Sequence, residues 1–421
     1  MNKKVVFRKI GHACFIAECE GQAILFDPWF GAPINHGTFH AVPEMVPPTR
    51  EELSTLVAIH VSHIHDDHFD LDAAAGLPKN IPVVIGTSND RRLRDRISHQ
   101  GFSRVLELEP GVSFSIGPFT LTVYPKFPTD LSFDSSIVLT VAGRNFYIGN
   151  DCIHPSHFYS QMLHTHGAFE GGFIGHTIVN PVLWCADFSD CSDYRVPMHD
   201  VGELVARVQK DAWHHVQRAC EILKFQWFSP YSSEFRFLNR DLLHHNALFC
   251  RASDVYKLDL GLTKPILLNP GEKFEGSSDA LMFAPARLDD AEITDRLILP
   301  SWIETHCAEV DLPSIVIKAK GYFQSVLQRQ PKIWNCELLI DIKIQEGSRT
   351  ETIRFRFDQQ TWTNADVDAQ KTPDMIVEYP ARALGELFKG RWDLPALHRF
   401  FLHKVRYLKT HFPPMGVLAW K

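Results

Sequence analysis

The sequence predicts an α/β layered fold with a smaller α+β domain behind it, and three observations carry that expectation. Short, near-continuously apolar strands alternate with helical stretches through residues 1–290, the pattern of sheets covered on both faces. An apolar run, Leu56–Val61, leads straight into a turn crowded with histidine and aspartate. From about Val310 the pattern changes to paired alternating strands and short helices, so 310–421 reads as a separate α+β domain.

In chain order, Val5–Phe7 is a short strand, Gly11–Ala13 a turn and Cys14–Glu18 a second strand. Gly21 turns the chain into Ala23–Phe26, an apolar strand closed by Asp27-Pro28. A segment rich in Pro, Gly and His, Gly31–Pro48, is long enough to be a functional loop. Thr49 is placed as the N-cap of a helix that starts at Arg50. Further strands are expected at Pro82–Gly86, Phe114–Ile116, Phe119–Tyr124, Ser136–Val141 and Asn145–Ile148. Between Gly202 and Phe225 apolar residues recur at helical spacing (Leu204, Val205, Val208, Ala212, Val216, Ala219, Leu223) and predict one long amphipathic helix. In the C-terminal domain, Ile333–Gln345 and Glu351–Asp358 alternate like a hairpin. A strand at Pro373–Tyr379 and helices at Pro380–Lys389 and Pro395–Thr410 follow.

Composition narrows the function classes. With 45% hydrophobic and 22% charged residues in 421, the chain has material for a sizeable core. A net charge of −7 gives no support to nucleic-acid binding, which needs a basic surface. No apolar run approaches the roughly 18 residues of a membrane span, and the first residues do not read as a secretory signal. The nine cysteines form no CxxC pair and are odd in number, so they read as reduced thiols of a cytoplasmic protein.

The chemistry is concentrated in His60-Val61-Ser62-His63-Ile64-His65-Asp66-Asp67-His68. Alternation along an extended segment puts His63 and His65 on one side, where two imidazoles meet one metal ion. Asp67 and His68 follow as the chain turns and offer an oxygen and a nitrogen to a second ion. Paired ions in such sites sit about 3.5–4 Å apart. Imidazole with carboxylate suits zinc, iron or manganese without choosing among them. A histidine-rich turn without an ion would have to bury these groups unpaired, which is costly. His60, one step back on the strand, reads as a core or supporting residue.

Gly11-His12-Ala13, Leu25-Phe26-Asp27-Pro28-Trp29-Phe30 and Val61–His68 together resemble the metallo-β-lactamase superfamily. Asp134–Leu139, Asn150-Asp151-Cys152, Ala186–Asp190 and Phe228–Tyr231 make the first 275 or so residues similar to the metallo-β-lactamase-like part of CMP-N-acetylneuraminate hydroxylases. The resemblance implies an αββα sandwich and two further sets of ligands. Asp151 matches the bridging aspartate, a carboxylate that lowers the repulsion between two cations. Where hydrolases of the superfamily place a histidine, this chain offers only Asp130 or Asp134, with Asp134 preferred. The final histidine is missing as well: Ser229–Glu234 occupies its place, so Glu234 or a water fills it or it stays open. His12 and Asp27 are expected to support the ligands, as is Asp187, which otherwise contacts substrate. Asp67, Asp187 and Tyr231 are the candidate catalytic groups, and Arg195 and Arg236, with Tyr231, the candidates for an anionic substrate group. His154, His157, His164, His166, His176 and His199, in a loop-rich stretch beside the site, read as ordinary histidines.

Carboxylate in place of imidazole favours harder, more highly charged ions than zinc, and superfamily members with an acid there include diiron enzymes that use dioxygen. The resemblance thus implies a dinuclear metal oxygenase, iron favoured over zinc or manganese, acting on a polar small molecule with O2 activated at the metal pair. The chain has no C-x-H followed by C-x-x-H, the Rieske pattern, so electrons come from an external donor protein or from the substrate. The alternative is a hydrolase of phosphodiester, lactone or amide bonds using a metal-bound hydroxide, whose water is acidified to about pKa 7. The C-terminal segments Pro373–Val377 and Ala383–Gly390 faintly resemble sterol-carrier domains, with a homodimer contact or a lid as other uses of that domain.

Overall fold

The computed structural model describes residues 3–35, 37–88, 90–126, 134–177, 186–187, 201–232, 234–243, 246, 249–276, 297–329, 338–358, 361–367, 371–391 and 404–407. The chain forms two compact units: Met1–Ile178 with Val208–Leu238 and Phe249–Leu297, and Val179–Arg207 with Asn239–Leu248 and Ile298–Lys421. Two stretches inside the expected 1–290 domain, Val179–Arg207 and Asn239–Leu248, cluster with the second unit.

The first unit is built on two seven-stranded sheets. One contains β1 (Val5–Gly11), β2 (Cys14–Cys19), β3 (Gln22–Phe26), β5 (Leu56–His60), β6 (Val83–Gly86), β7 (Val105–Leu108) and β17 (Lys273–Glu275). Its order is β17-β1-β2-β3-β5-β6-β7, antiparallel as far as β3 and parallel from there. The other contains β8 (Ser113–Ile116), β9 (Phe119–Pro125), β10 (Ser135–Val141), β11 (Arg144–Ile148), β12 (Phe169–Gly175), β14 (Trp227–Tyr231) and β16 (Lys264–Pro265). Its order is β16-β14-β12-β11-β10-β9-β8, parallel as far as β11 and antiparallel from there. A small pair, β4 (Phe39–Ala41) with β15 (Phe235–Phe237), orders part of the expected long loop.

Alternation along the strands makes the layers. Phe15, Ala17 and Cys19 of β2 and Ile137, Leu139 and Val141 of β10 face one shared core with Phe7, Phe26, Phe146, Phe173 and Trp227. The Phe15 and Phe26 rings stack at 4.6 Å, and Phe7 meets Phe146 edge-on at 5.0 Å. Each such ring contributes roughly 1.5–3 kcal/mol by leaving water. The opposite residues, Cys14, Ile16, Leu25 and Ile59, pack outward on Phe69, Ala74, Leu77, Ile97 and Phe102. Those belong to or flank α2 (Leu71–Ala75) and α3 (Arg92–His99), which follow α1 (Arg50–Ser54). Thr49 caps α1 as expected, in a reciprocal capping box with Glu52. On the outer face of the second sheet, Val138, Tyr147 and Ile174 pack on α4 (Ser156–His166) and α5 (Val201–Leu223) through Tyr159, Met162, Val216 and Leu223. Helix, sheet, sheet, helix: this is the αββα sandwich.

The second unit has a six-stranded sheet. Its strands are β13 (Ala186–Asp187), β18 (Leu338–Glu346), β19 (Arg349–Asp358), β20 (Thr361–Ala365), β21 (Met375–Pro380) and β22 (Lys404–Tyr407), ordered β13-β22-β21-β18-β19-β20. The unit also carries α6 (Trp302–His306), α7 (Leu312–Gln328) and α8 (Ala381–Phe388), and α7 packs against α8 and β18–β20. The expected helix at Pro395–Thr410 is corrected here. Residues 404–407 are strand β22, antiparallel to β21 and parallel to β13, while 392–403 and 408–410 lie outside the described residues. Lys-Val-Arg-Tyr has strand propensity and period 2, and the open edge of β21 decides the matter. Helix α7, capped by Asp311, is an element the sequence reading lacked, and the region after residue 152 holds α4 and β12 where loop was expected. Among the described residues no helix is long and apolar enough to cross a membrane.

Candidate metal centre

The site forms where strands of both sheets end side by side. Asp27 closes β3, Ser62–His68 follow β5, Asp134 precedes β10, and Asp151 follows β11. His12, Asp27 and Asn150 all adopt positive φ (45°, 43° and 49°), the left-handed region that histidine, aspartate and asparagine enter more readily than other non-glycine residues.

Two groups of ligand atoms converge there. His63 Nε2 stands 2.8 Å from His65 Nδ1, 3.7 Å from Asp134 Oδ1 and 3.7 Å from Asp151 Oδ2. His68 Nε2 stands 3.7 Å from Asp67 Oδ2 and 3.5 Å from Asp151 Oδ1. The two oxygens of Asp151 thus face different histidines, the arrangement a bridging carboxylate requires. Two ligands each about 2.1 Å from one tetrahedral ion lie roughly 3.4 Å apart, so these separations fit cations. His68 Nε2 and Asp134 Oδ1 are buried and have no hydrogen-bond partner, a costly condition that an ion relieves. By this test the residues fit a pair of metal ions.

Behind the ligands lies a supporting layer. Asp27, fully buried, accepts from the Ser62 backbone N–H at 2.7 Å, from Ser62 Oγ at 2.9 Å and from His68 Nδ1 at 2.9 Å. That contact puts the His68 proton on Nδ1 and turns Nε2 towards the site, the usual second partner of a metal-binding histidine. Tyr231 OH donates to Asn150 Oδ1 and reaches Asp27 Oδ2 at 3.3 Å. Lys126 Nζ binds the other oxygen of Asp134 at 2.9 Å. Arg96 ties the motif turn together through Asp66 Oδ1 at 2.5 Å and the Ile64 carbonyl at 2.8 Å.

Charge follows geometry. Burial would raise Asp67 and Asp151, but the neighbouring histidines together outweigh it, His68 with His12 and His65 at Asp67 and His68 with His63 at Asp151, and hold both well below the usual carboxylate range. Burial would lower His68, yet Asp151, Asp27 and Asp67 push it well above an ordinary histidine. His63 is pushed down to about 4 by burial, with His68 adding to the effect. The cluster calls for positive charge.

His63, His65, Asp67, His68, Asp134 and Asp151 are therefore brought together. Asp130 and Arg195 lie outside the described residues, as does the side chain of Asp187, whose backbone forms β13 in the second unit. Tyr231 is fully buried behind Asp27, so it touches supporting groups and not the open side of the centre. Glu234 is buried and contacts His12 and Lys9. Arg236, 4% exposed, lies over the Phe249 ring and donates to the Phe235 carbonyl. His60 sits in the core against Phe26 with both ring nitrogens unpartnered, pushed down to about 4 by burial. His154 and His166 are engaged by Ser136 and Tyr124, and His199 lies outside the described residues. Ser62, Lys126 and Asn150 are the supporting residues that sequence reasoning missed. Ser62, inside the motif, was the one with a signal. A cleft lined by Ile64, Ile85, Ser88 and Leu93 reaches Ser62 and His63 from one side.

Comparison with known proteins agrees with the fold. Residues 7–130 match the family described as beta-lactamase superfamily domain. A curated relative in Mycobacterium tuberculosis, named for a Rieske 2Fe-2S iron-sulfur centre, is 29% identical over 111 residues, 26% of this chain. The match spans only 21% of that relative's length. Among solved structures, CmlA, a diiron beta-hydroxylase from Streptomyces venezuelae, is 16% identical and covers 55% of this chain and 45% of its own, with a TM-score of 0.38. Igni18, a metallo hydrolase from Ignicoccus hospitalis, is 13% identical, covers 65% of this chain and 98% of its own, and has a TM-score of 0.42. An isothiocyanate hydrolase from Delia radicum gut bacteria is 17% identical over 64% of this chain and 97% of its own, with a TM-score of 0.40. At these values no activity carries over.

Proposed function

Starting from a metallo-β-lactamase sandwich whose strand ends gather three imidazoles and three carboxylates, we propose that the protein is a dinuclear metal oxygenase, loaded with iron, acting on a polar small molecule. The observation that carries this reading is Asp134. Its buried, unpartnered Oδ1 faces His63 Nε2 at 3.7 Å, so a carboxylate stands among the ligands where imidazole would suit zinc. His63, His65 and Asp134 would hold one ion, Asp67 and His68 the other, and Asp151 both. Bound there, an iron pair would bind dioxygen and pass to it electrons that come from the external donor and from the substrate being oxidised.

The chain's own groups do the positioning. Asp27 fixes the His68 tautomer, and Lys126 offsets part of the Asp134 charge. Buried His63, His68 and Asp134 keep bulk water from the inner side, while His65 and Asp151 stand towards solvent, where substrate approaches. Electrons come from a separate donor protein, since the chain carries no Rieske pattern of its own. The stretch shared with a relative named for such a centre supports that assignment.

Elemental analysis of protein purified without added metal, followed by oxygen uptake with a reductant, tests the proposal. Two irons per chain and reductant-dependent uptake are expected. Iron-loaded protein that stays colourless in air and consumes no oxygen with any reductant would sink it. The second reading, a hydrolase, is favoured by His63-x-His65-x-Asp67-His68 itself, which serves acidified water equally well. Zinc or manganese with anaerobic turnover of a phosphodiester, lactone or amide would establish it.

A further inference from the structure

A buried chain of contacts reaches the metal centre through the turn between β1 and β2. His12 donates its backbone N–H to Glu234 Oε2 at 3.2 Å, and its ring Nδ1 accepts the Glu234 backbone N–H at 3.1 Å. Lys9 donates to the His12 carbonyl, and its ammonium lies 3.6 Å from Glu234 Oε2. Lys9, His12 and Glu234 are each at most 2% exposed. On the far side of the ring, His12 Nε2 lies 3.1 Å from Asp67 Oδ2.

This geometry decides which nitrogen carries the proton. A neutral imidazole has one N–H and one lone pair. The lone pair on Nδ1 is engaged by the Glu234 N–H, so the proton sits on Nε2 and points at Asp67. A protonated nitrogen cannot ligate a cation. His12, Asp67 and His68 offer ligand atoms within 4.8 Å of one another, yet they do not make a three-ligand site. Asp67 Oδ2 has a second lone pair, and it lies 3.7 Å from His68 Nε2.

We propose that His12 is a positioning residue, locked as the Nε2–H tautomer by Glu234 with Lys9, which orients the Asp67 carboxylate and takes the place of a last histidine without ligating. The inference rests on the dinuclear centre proposed above and adds an asymmetry to it. One ion would be held by His63, His65, Asp134 and Asp151. Among the described residues the other would be held by Asp67, His68 and Asp151, would bind less tightly and would keep an open position. It is the ion whose affinity depends on His12.

Metal titration with zinc, followed by competition with a chelator, tests this in His12→Phe and His12→Gln beside the wild type. His12→Phe is expected to weaken the second zinc by about 10–100-fold and leave the first unchanged. His12→Gln, whose amide N–H can still donate to Asp67, should recover most of that loss. An unchanged second affinity in His12→Phe overturns the proposal, as does a His12→Gln variant as impaired as His12→Phe. Long-range 15N–1H spectra of zinc-loaded wild-type protein give a readout that needs no stable Phe variant. The Nε2–H form of His12 is expected, and a metal-bound Nε2 with a protonated Nδ1 would refute it. Wild-type protein that binds two ions but consumes no oxygen would cost the oxygenase reading alone.

Discussion

Asp151 turns its two carboxylate oxygens to different histidines, Oδ2 to His63 and Oδ1 to His68, whereas Asp134 turns one oxygen to His63 and the other to Lys126. The two aspartates should therefore differ in what their loss removes. Asp151→Ala is expected to lower the affinity for both ions by at least tenfold, and Asp134→Ala to lower it for one. Metal content after dialysis against a graded chelator series checks this, and equal losses in the two variants would contradict the bridging assignment. Four of the six converging residues were legible because they lie within His63–His68, and contiguity needs no knowledge of the fold. Asp134 and Asp151 were legible only through resemblance. The roles of Lys126 and Asn150 were not legible, because a lysine just after β9 and an asparagine just after β11 meet their partners only when β9 and β11 each pair with β10.

At the scale of elements, short apolar runs located nine of the fourteen strands of the two large sheets, since each such strand has one face in the inner core and one under helices, while β7, β12, β14, β16 and β17 escaped. Glycines on β12 show the limit of patterning. A Cβ on Gly171 would lie 2.0 Å from the Trp227 ring, and one on Gly172 would lie 2.7 Å from Phe225. The pairing of β12 with β14 puts these rings against bare backbone. Gly171→Ala is expected to destabilise the fold by about 1–3 kcal/mol or more through overpacking. Urea unfolding of the metal-free variant measures it, and a change below a few tenths of a kcal/mol would show that the Trp227 ring can move aside. In the second unit, Asp341 and Arg354 stand opposite each other on β18 and β19, joined at 2.6 and 2.8 Å in a buried bidentate pair. Helical patterning misjudged residues 404–407 because four residues are too few to hold a helical period against the hydrogen bonds that β21 and β13 offer, which their own strand propensity also favours.

For the molecule as a whole, acid should find the layer under α4 and α5. Burial pushes His154 down to about 3, with His215 and Lys126 adding to it, and burial with Arg218 pushes His215 down to about 4. Both are neutral in the folded chain at pH 7, while unfolded histidine titrates near 6.5. Their contribution is complete above that value. It is lost as pH falls from 6.5 towards 4, because the unfolded chain takes up protons that the folded one refuses. At pH 5 each should cost about 2 kcal/mol. Urea midpoints at pH 7 and pH 5, with chelator present, measure the loss, and His154→Gln should flatten it. Coincident midpoints would contradict it. By itself the sequence determined the local facts: the contiguous His63–His68 cluster, the periods of most strands and of the long helix, and the capping threonine. These depend on residues close in the chain, whose spacing sets which face a side chain takes. Only tertiary structure decided which carboxylate faces which histidine, which His12 nitrogen carries the proton, and that Tyr231 stands behind Asp27. Those outcomes rest on atoms from separate strands meeting at one end of two sheets, and no spacing along the chain encodes such a meeting.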